Sequence, residues 1–152
     1  MKYPELEEIK TIVSQQDEIL ETLGKEISAL MQAPDDIVLL LYSRRCLETM
    51  IIQLCTHSLK RDRGTEPLKG LIDKLYKEEV IPAYVHTSMQ NVNNISNYGA
   101  HPKEFNPRQV KSTINELATI LEWYFEYIKG FPDTGEKMIP AKNLLNHETT
   151  KL

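Results

Sequence analysis

The chain predicts an all-α fold, a helical bundle of about five helices. Three observations carry this. Apolar residues recur at steps of three and four through most of its 152 residues. Strand signals are nearly absent. The Pro and Asp/Asn punctuation falls between the periodic stretches, where helices start and stop. With 41% hydrophobic residues, the chain has the size and composition of one ordinary domain that buries a core without staples.

The first helix is expected over residues 4–31. Pro4 suits a first turn, and Leu6, Ile9, Val13, Leu20, Leu23, Ile27 and Leu30 follow in alternating three- and four-residue steps that only Gln16 interrupts. A stripe of about four heptads containing Gly24 fits one face of a bundle helix better than a free coiled coil. Ala33-Pro34-Asp35-Asp36 is a stop followed by an N-cap. The next helix, to about Leu59, is apolar nearly all round (Val38 to Leu41, Leu47, Met50, Ile51, Leu54) and is therefore the central one. Its polar insertions are Arg44, Arg45 and Glu48, with Arg44 and Glu48 at the i, i+4 spacing of a same-face ion pair.

Lys60-Arg61-Asp62-Arg63-Gly64 ends that helix in a charged loop, a solvated run whose three cations also suit a phosphate. Leu68, Leu71, Ile72 and Leu75 define a short third helix. Val80-Ile81-Pro82 restarts the chain as a weakly amphipathic fourth helix up to about Tyr98. Asn106-Pro107 supplies a cap and a first-turn proline for the fifth. Its stripe Val110, Ile114, Leu117, Leu121, Tyr124, Ile128 is joined by a second face of Ile120, Trp123 and Tyr127, which suits burial between neighbours. The first and fifth helices are expected to pack on the central one. Beyond Gly130 the periodicity is lost, and residues 131–152 are expected to be a C-terminal tail or linker after a domain over 1–130.

Composition narrows the function. Acidic residues exceed basic ones by 22 to 18, a formal charge of −4, which disfavours a broad electrostatic nucleic-acid surface. No apolar run approaches the ~20 residues of a membrane span, and the start MKYPELEEIK has no apolar signal core, so a cytoplasmic protein is expected. Cys46 and Cys55 lie nine positions apart in one helix, on opposite faces and ~13 Å apart, too far to bridge. They are expected to be free structural thiols. The four histidines have no zinc-type spacing, and no Gly-rich phosphate loop, nucleophile elbow or paired carboxylates occur. Neither a metal nor another cofactor is expected.

The candidate site is Asn91 to Pro102, NVNNISNYGAHP, where a turn-forming Gly99 and a lone His101 end an asparagine-rich helix. Side-chain amides of Asn93, Asn94 and Asn97 stand where a packing surface would carry leucine. The run Ile95-Ser96-Asn97-Tyr98-Gly99-Ala100-His101 is similar to the I-G-N-x-x-A-H signature of HEPN-superfamily domains. It resembles most the bacterial domain of unknown function at the front of type I restriction subunits and other defence proteins. Tyr3-Pro4-Glu5-Leu6 and the Arg44-Arg45-Cys46-Leu47-Glu48 segment resemble that group's start and its R-x-x-L-E helix. The resemblance implies an HEPN-like helical bundle, frequent homodimerisation, and a place in a larger machine that handles nucleic acid.

One departure weighs against catalysis. HEPN ribonucleases carry an arginine shortly before the histidine, and residues 65–107 contain none. Histidine moves the proton in metal-independent RNA cleavage, but arginine's fixed fork holds the charged phosphate, and losing such a group commonly costs ~3 kcal/mol. The expected function is thus a non-catalytic interaction and dimerisation domain serving a protein partner or appended effector through the wide apolar faces of the first and fifth helices, with Arg44, Arg45, Glu48, Asn93 and Asn94 as binding residues. The alternative is a degenerate ribonuclease acting on RNA, with His101 as acid/base, Asn97 orienting substrate, and a cation from Arg44, Arg45 or a second subunit.

Overall fold

A computed structural model describes residues 3–96, 106–131 and 136–145. It is an all-α bundle with one short two-stranded sheet. The order is α1 (Leu6–Ser14), β1 (Glu18–Leu20), α2 (Glu21–Met31), α3 (Asp36–Leu54), α4 (Leu68–Lys77), α5 (Ala83–Ser96), α6 (Pro107–Ile128), β2 (Met138–Pro140) and α7 (Ala141–Leu145).

The first stretch departs from the single helix expected over residues 4–31. After α1, the Gln15 and Gln16 N–H groups fall back on the carbonyls of Ile12 and Val13, a tightened last turn that ends the helix. The chain then extends. Glu18, Ile19 and Leu20 pair antiparallel with Pro140, Ile139 and Met138. Glu21 N–H to Lys137 O and Ala141 N–H to Asp17 O continue the tie at both ends. Ile19, absent from the heptad, is fully buried, whereas Leu20, a heptad position, is not. The reason is tertiary: the strand's partner lies at the other end of the chain, outside the reach of local periodicity.

The two halves of that stretch pack differently. The buried face of α1 (Leu6, Ile9, Ile12, Val13) lies on α6, while that of α2 (Leu23, Ile27, Leu30) lies on α3. Gly24 is the point of close approach in α2. A Cβ there would stand 3.2 Å from the Cδ1 atoms of Ile139 and Leu144 and 3.3 Å from Cγ2 of Ile19. Residues 136–145, expected to belong to an aperiodic tail, thus add a strand and a short helix against α2, and Ala141 is fully buried.

The central helix is α3. Asp35 sits in extended backbone and accepts from Val38 N–H at 2.9 Å, the N-cap that the sequence places there. It packs against α2, α4, α5 and α6, and Leu40, Leu47, Met50, Ile51 and Leu54 are fully buried. Each such side chain contributes about 1.5–3 kcal/mol of transfer free energy. Cys55–Leu59 continues it as a π turn, closed by left-handed Lys60 (φ 57°).

Helices α4 and α5 form a hairpin turned at left-handed Glu79, with Val80 and Ile81 N–H groups both donating to Leu75 O. Asp73 of α4 accepts from Gln90 at 2.8 Å and meets His86 Nε2 at 2.9 Å, and Tyr76 stacks on the His86 ring. Helix α6 starts as its sequence dictates. Asn106 and Gln109 close a reciprocal capping box around Pro107. Its buried face, Val110, Ile114, Leu117, Leu121 and Tyr124, meets α1, α3 and α5.

Candidate functional site

The nominated residues that the structure describes stand apart from one another along the bundle. Asn97 and His101, and with them the Gly99 turn, lie outside the described residues. On α5, Asn93 is buried and Asn94 is exposed, so adjacent amides face opposite environments. On α3, half-buried Arg44 and exposed Arg45 take different faces. Arg45 lies 5.6 Å over the Tyr42 ring and is near the Glu26 carboxyl of α2. That carboxyl accepts from the Thr49 hydroxyl at 2.6 Å, and burial raises its pKa.

Glu48 takes Arg63 as an ion partner, at 2.8 Å. Arg63 also donates to the carbonyl of Glu66, and Arg61 pairs with the Glu66 carboxylate. Two of the three cations read as a possible phosphate holder are therefore neutralised by carboxylates. Each ion pair is half-exposed and contributes little to stability by itself, but it leaves less positive field for an anion.

The polar group that the structure does assemble went unnoticed in the sequence. Gln53 of α3 and His57 of the π turn both face Glu136, which precedes β2. Gln53 Nε2 donates to Glu136 Oε2 at 2.9 Å, and His57 Nε2 lies 3.6 Å from Glu136 Oε1. A carboxylate only accepts, so this contact fixes the amide's orientation and turns Gln53 Oε1 inward, buried with no hydrogen-bond partner among the described residues. The His57 ring packs on Phe131, with centroids 5.1 Å apart. Behind them the Tyr124 hydroxyl is also buried and unpartnered, and burial, with a smaller push from the Glu136 charge, drives its ionisation well above the ordinary tyrosine range. Ser58 and Tyr127 hydroxyls meet at 3.0 Å nearby.

Beside this cluster lies an open cleft of about 340 Å³. One wall is Thr49, Ile52 and Gln53 of α3 with Thr56; the other is Leu20, Glu21 and Thr22. Glu136 and Lys137 close the end. Its size is at the lower limit for a small-molecule site. Lys137 pairs with Glu21 at 2.9 Å, which lowers the Glu21 pKa.

The sequence held one weak signal for this site: Gln53 and His57 lie at i, i+4 in the more apolar second half of the helix. The partner, Glu136, is in the stretch taken for a tail. The cluster thus joins a carboxylate, an imidazole and a buried phenol. Burial raises the pKa of the Cys55 thiol and raises that of Cys46 well above its usual range, so both stay protonated, and both are free. Among the described residues no group of three or more His, Cys, Asp or Glu is placed to hold a metal, and no helix is long and apolar enough to cross a membrane.

The family model described as Domain of unknown function (DUF4145) matches residues 25–142. The chain belongs to this family. The matched region of the DUF4145 chain opens inside α2, contains the whole α3–α6 bundle, and closes just after β2, so Gln53, His57 and Glu136 all lie within it while β1 lies before it. No curated protein and no solved structure matches it.

Proposed function

We propose that this DUF4145 chain is a non-catalytic helical interaction domain that self-associates through α3, within an HEPN-like assembly that handles nucleic acid or serves a defence system. The observation that carries the reading is on α3. Ile37 and Leu41, one turn apart on one face at the start of the central helix, are 40% and 46% exposed. Two large aliphatic side chains stacked at i, i+4 favour a partner helix. A second copy of the chain meets the same stripe with the same stripe, as a two-fold interface requires.

The electrostatics support binding over catalysis. Arg61 and Arg63 are engaged by Glu66 and Glu48, and the chain carries a net charge of −4. The association with restriction or other defence proteins rests on the similarity of the Ile95–Pro102 run to the HEPN signature.

Sedimentation equilibrium tests the reading. The wild type is expected to dimerise at micromolar concentration and Leu41→Asp to be a folded monomer, since an introduced carboxylate at the seam would be buried without a partner. A compact wild-type monomer at about 100 µM, where a dimer of micromolar Kd would be almost fully formed, would overturn it. Metal-independent RNA cleavage that disappears in His101→Ala would instead establish the ribonuclease.

A further inference from the structure

The cleft between α3 and the β1–α2 junction is separate from the Ile37–Leu41 stripe. On α3, Ile52 lies eleven residues beyond Leu41, the nearer end of that stripe, about 16 Å along the helix axis. Its lining is rich in acceptors. Two carboxylates (Glu21, Glu136), three threonine hydroxyls and the Gln53 amide face one ammonium, Lys137. That ammonium is already committed to Glu21 at 2.9 Å, with Lys25 at 3.6 Å from the same carboxylate.

Glu136 differs from Glu21. Its carboxylate meets a neutral amide, Gln53, and an imidazole at 3.6 Å, and it has no lysine or arginine partner among the described residues. It is 38% exposed at the cleft, while Gln53 beneath it is 8% exposed and holds the carboxylate in place through its amide N–H. A second exposed feature stands in the same cleft: Ile52, 40% exposed, offers an apolar surface beside these acceptors.

We infer that this cleft binds an aliphatic ammonium, its head on the Glu136 carboxylate with threonine hydroxyls as further acceptors and its stem along Ile52 and Leu20. An anion finds no free cation there, because Lys137 is paired. The Glu21–Lys137 contact shows the same chemistry within the cleft, a carboxylate holding an ammonium at 2.9 Å. Two sources present this group: a free alkylamine, and the lysine side chain of another protein. The inference stands apart from self-association, since neither Glu136 nor Ile52 belongs to the proposed seam.

Amide chemical-shift titration of the full chain with n-butylammonium tests it, with 1-butanol as the uncharged control of equal length. Saturable shifts at residues 49–56, 21–22 and 136–137 are expected with the amine and absent with the alcohol. Glu136→Gln keeps an acceptor for Gln53 but removes the charge, and should weaken binding about tenfold, as for a charge-assisted contact. Glu21→Gln, whose carboxylate already has two lysines, should weaken it by less than about threefold. Ile52→Ala should weaken binding several-fold whether or not Glu136→Gln keeps a native circular-dichroism spectrum, which keeps the test decisive. Equal shifts with butanol, no shifts, or unchanged affinity in Ile52→Ala or in a folded Glu136→Gln would each overturn the inference. N-acetyl-lysine amide distinguishes the sources: affinity equal to or above that of butylammonium assigns a lysine side chain, and clearly weaker affinity assigns a free amine.

Discussion

Two stretches of this chain have apolar stripes of the same three- and four-residue step, one interrupted at Gln16, and end in different structures. Residues 107–128 form one unbroken helix, α6, while residues 6–31 divide into α1, β1 and α2. The stripe is a necessary condition in both. In α6 every local signal agrees with it: a reciprocal capping box, proline in the first turn, and neighbours on both faces. In the N-terminal stretch the local signal is weakest at Gln16, and there a strand from the far end of the sequence captures the backbone. A break in a heptad is thus an opening that tertiary partners can use.

The largest expected effect comes from removing what holds that break open. Ile19→Ala deletes a fully buried side chain at the centre of β1, opposite Ile139, and should cost about 2–5 kcal/mol in urea unfolding. A loss below that range would mean the strand is dispensable and the stretch is better described as one kinked helix.

Gly24→Ala sets helix propensity against packing at the same site. Alanine favours the helix by about 1 kcal/mol. Its Cβ, however, would press on Ile139, Leu144 and Ile19 at 3.2–3.3 Å. Overpacking of this kind typically costs about 1–3 kcal/mol, so a net loss of about 1 kcal/mol and faster amide exchange at residues 138–141 are expected. A stabilised variant with unchanged exchange would show that the 136–145 segment sits more loosely on α2 than described.

At α6 the comparison is tested from the local side. Asn106→Ala removes the cap and should cost about 1 kcal/mol without redistributing secondary structure, because the burial of Leu117, Leu121 and Tyr124 holds the helix in place. Circular dichroism showing loss of more than a helical turn would reveal a helix more dependent on its cap than on its packing.

The smallest effect concerns the α4–α5 hairpin, where contacts are local in the chain. His86 and then Gln90 hold the Asp73 pKa below its ordinary value. A folded-state pKa below the unfolded one contributes stability above the unfolded value, and that contribution is lost as the pH falls through the folded one. Asp73→Asn should therefore lower Tm by about 2 °C or less at pH 7, given the group's exposure, with the difference closing below pH 3.8. A difference that does not shrink as the pH falls below 3.8 would assign the effect to packing against the Tyr76–His86 stack.

Function was less legible than fold. The sequence drew attention to Asn91–Pro102 because unusual residues cluster there in the chain. The cleft draws its groups from α3, the β1–α2 junction and Glu136, each unremarkable where it stands. Gln53 and His57 carry only a weak signal of their own in the helix, and only the third group gives them a shared purpose.

What the sequence determined by itself is the set of helices whose boundaries are written locally: Asp35 for α3, Asn106 and Pro107 for α6, Pro82 before α5, and the all-round apolar surface that makes α3 central. These depend on hydrogen bonds and side-chain periodicity within a few residues of each other. The tertiary structure alone decided the break at residues 15–20, the β1–β2 pairing, the seat of residues 136–145 on Gly24, and the meeting of Gln53, His57 and Glu136. Each depends on groups far apart in the chain, and a strand of three residues has no periodicity long enough to announce itself before its partner is in place.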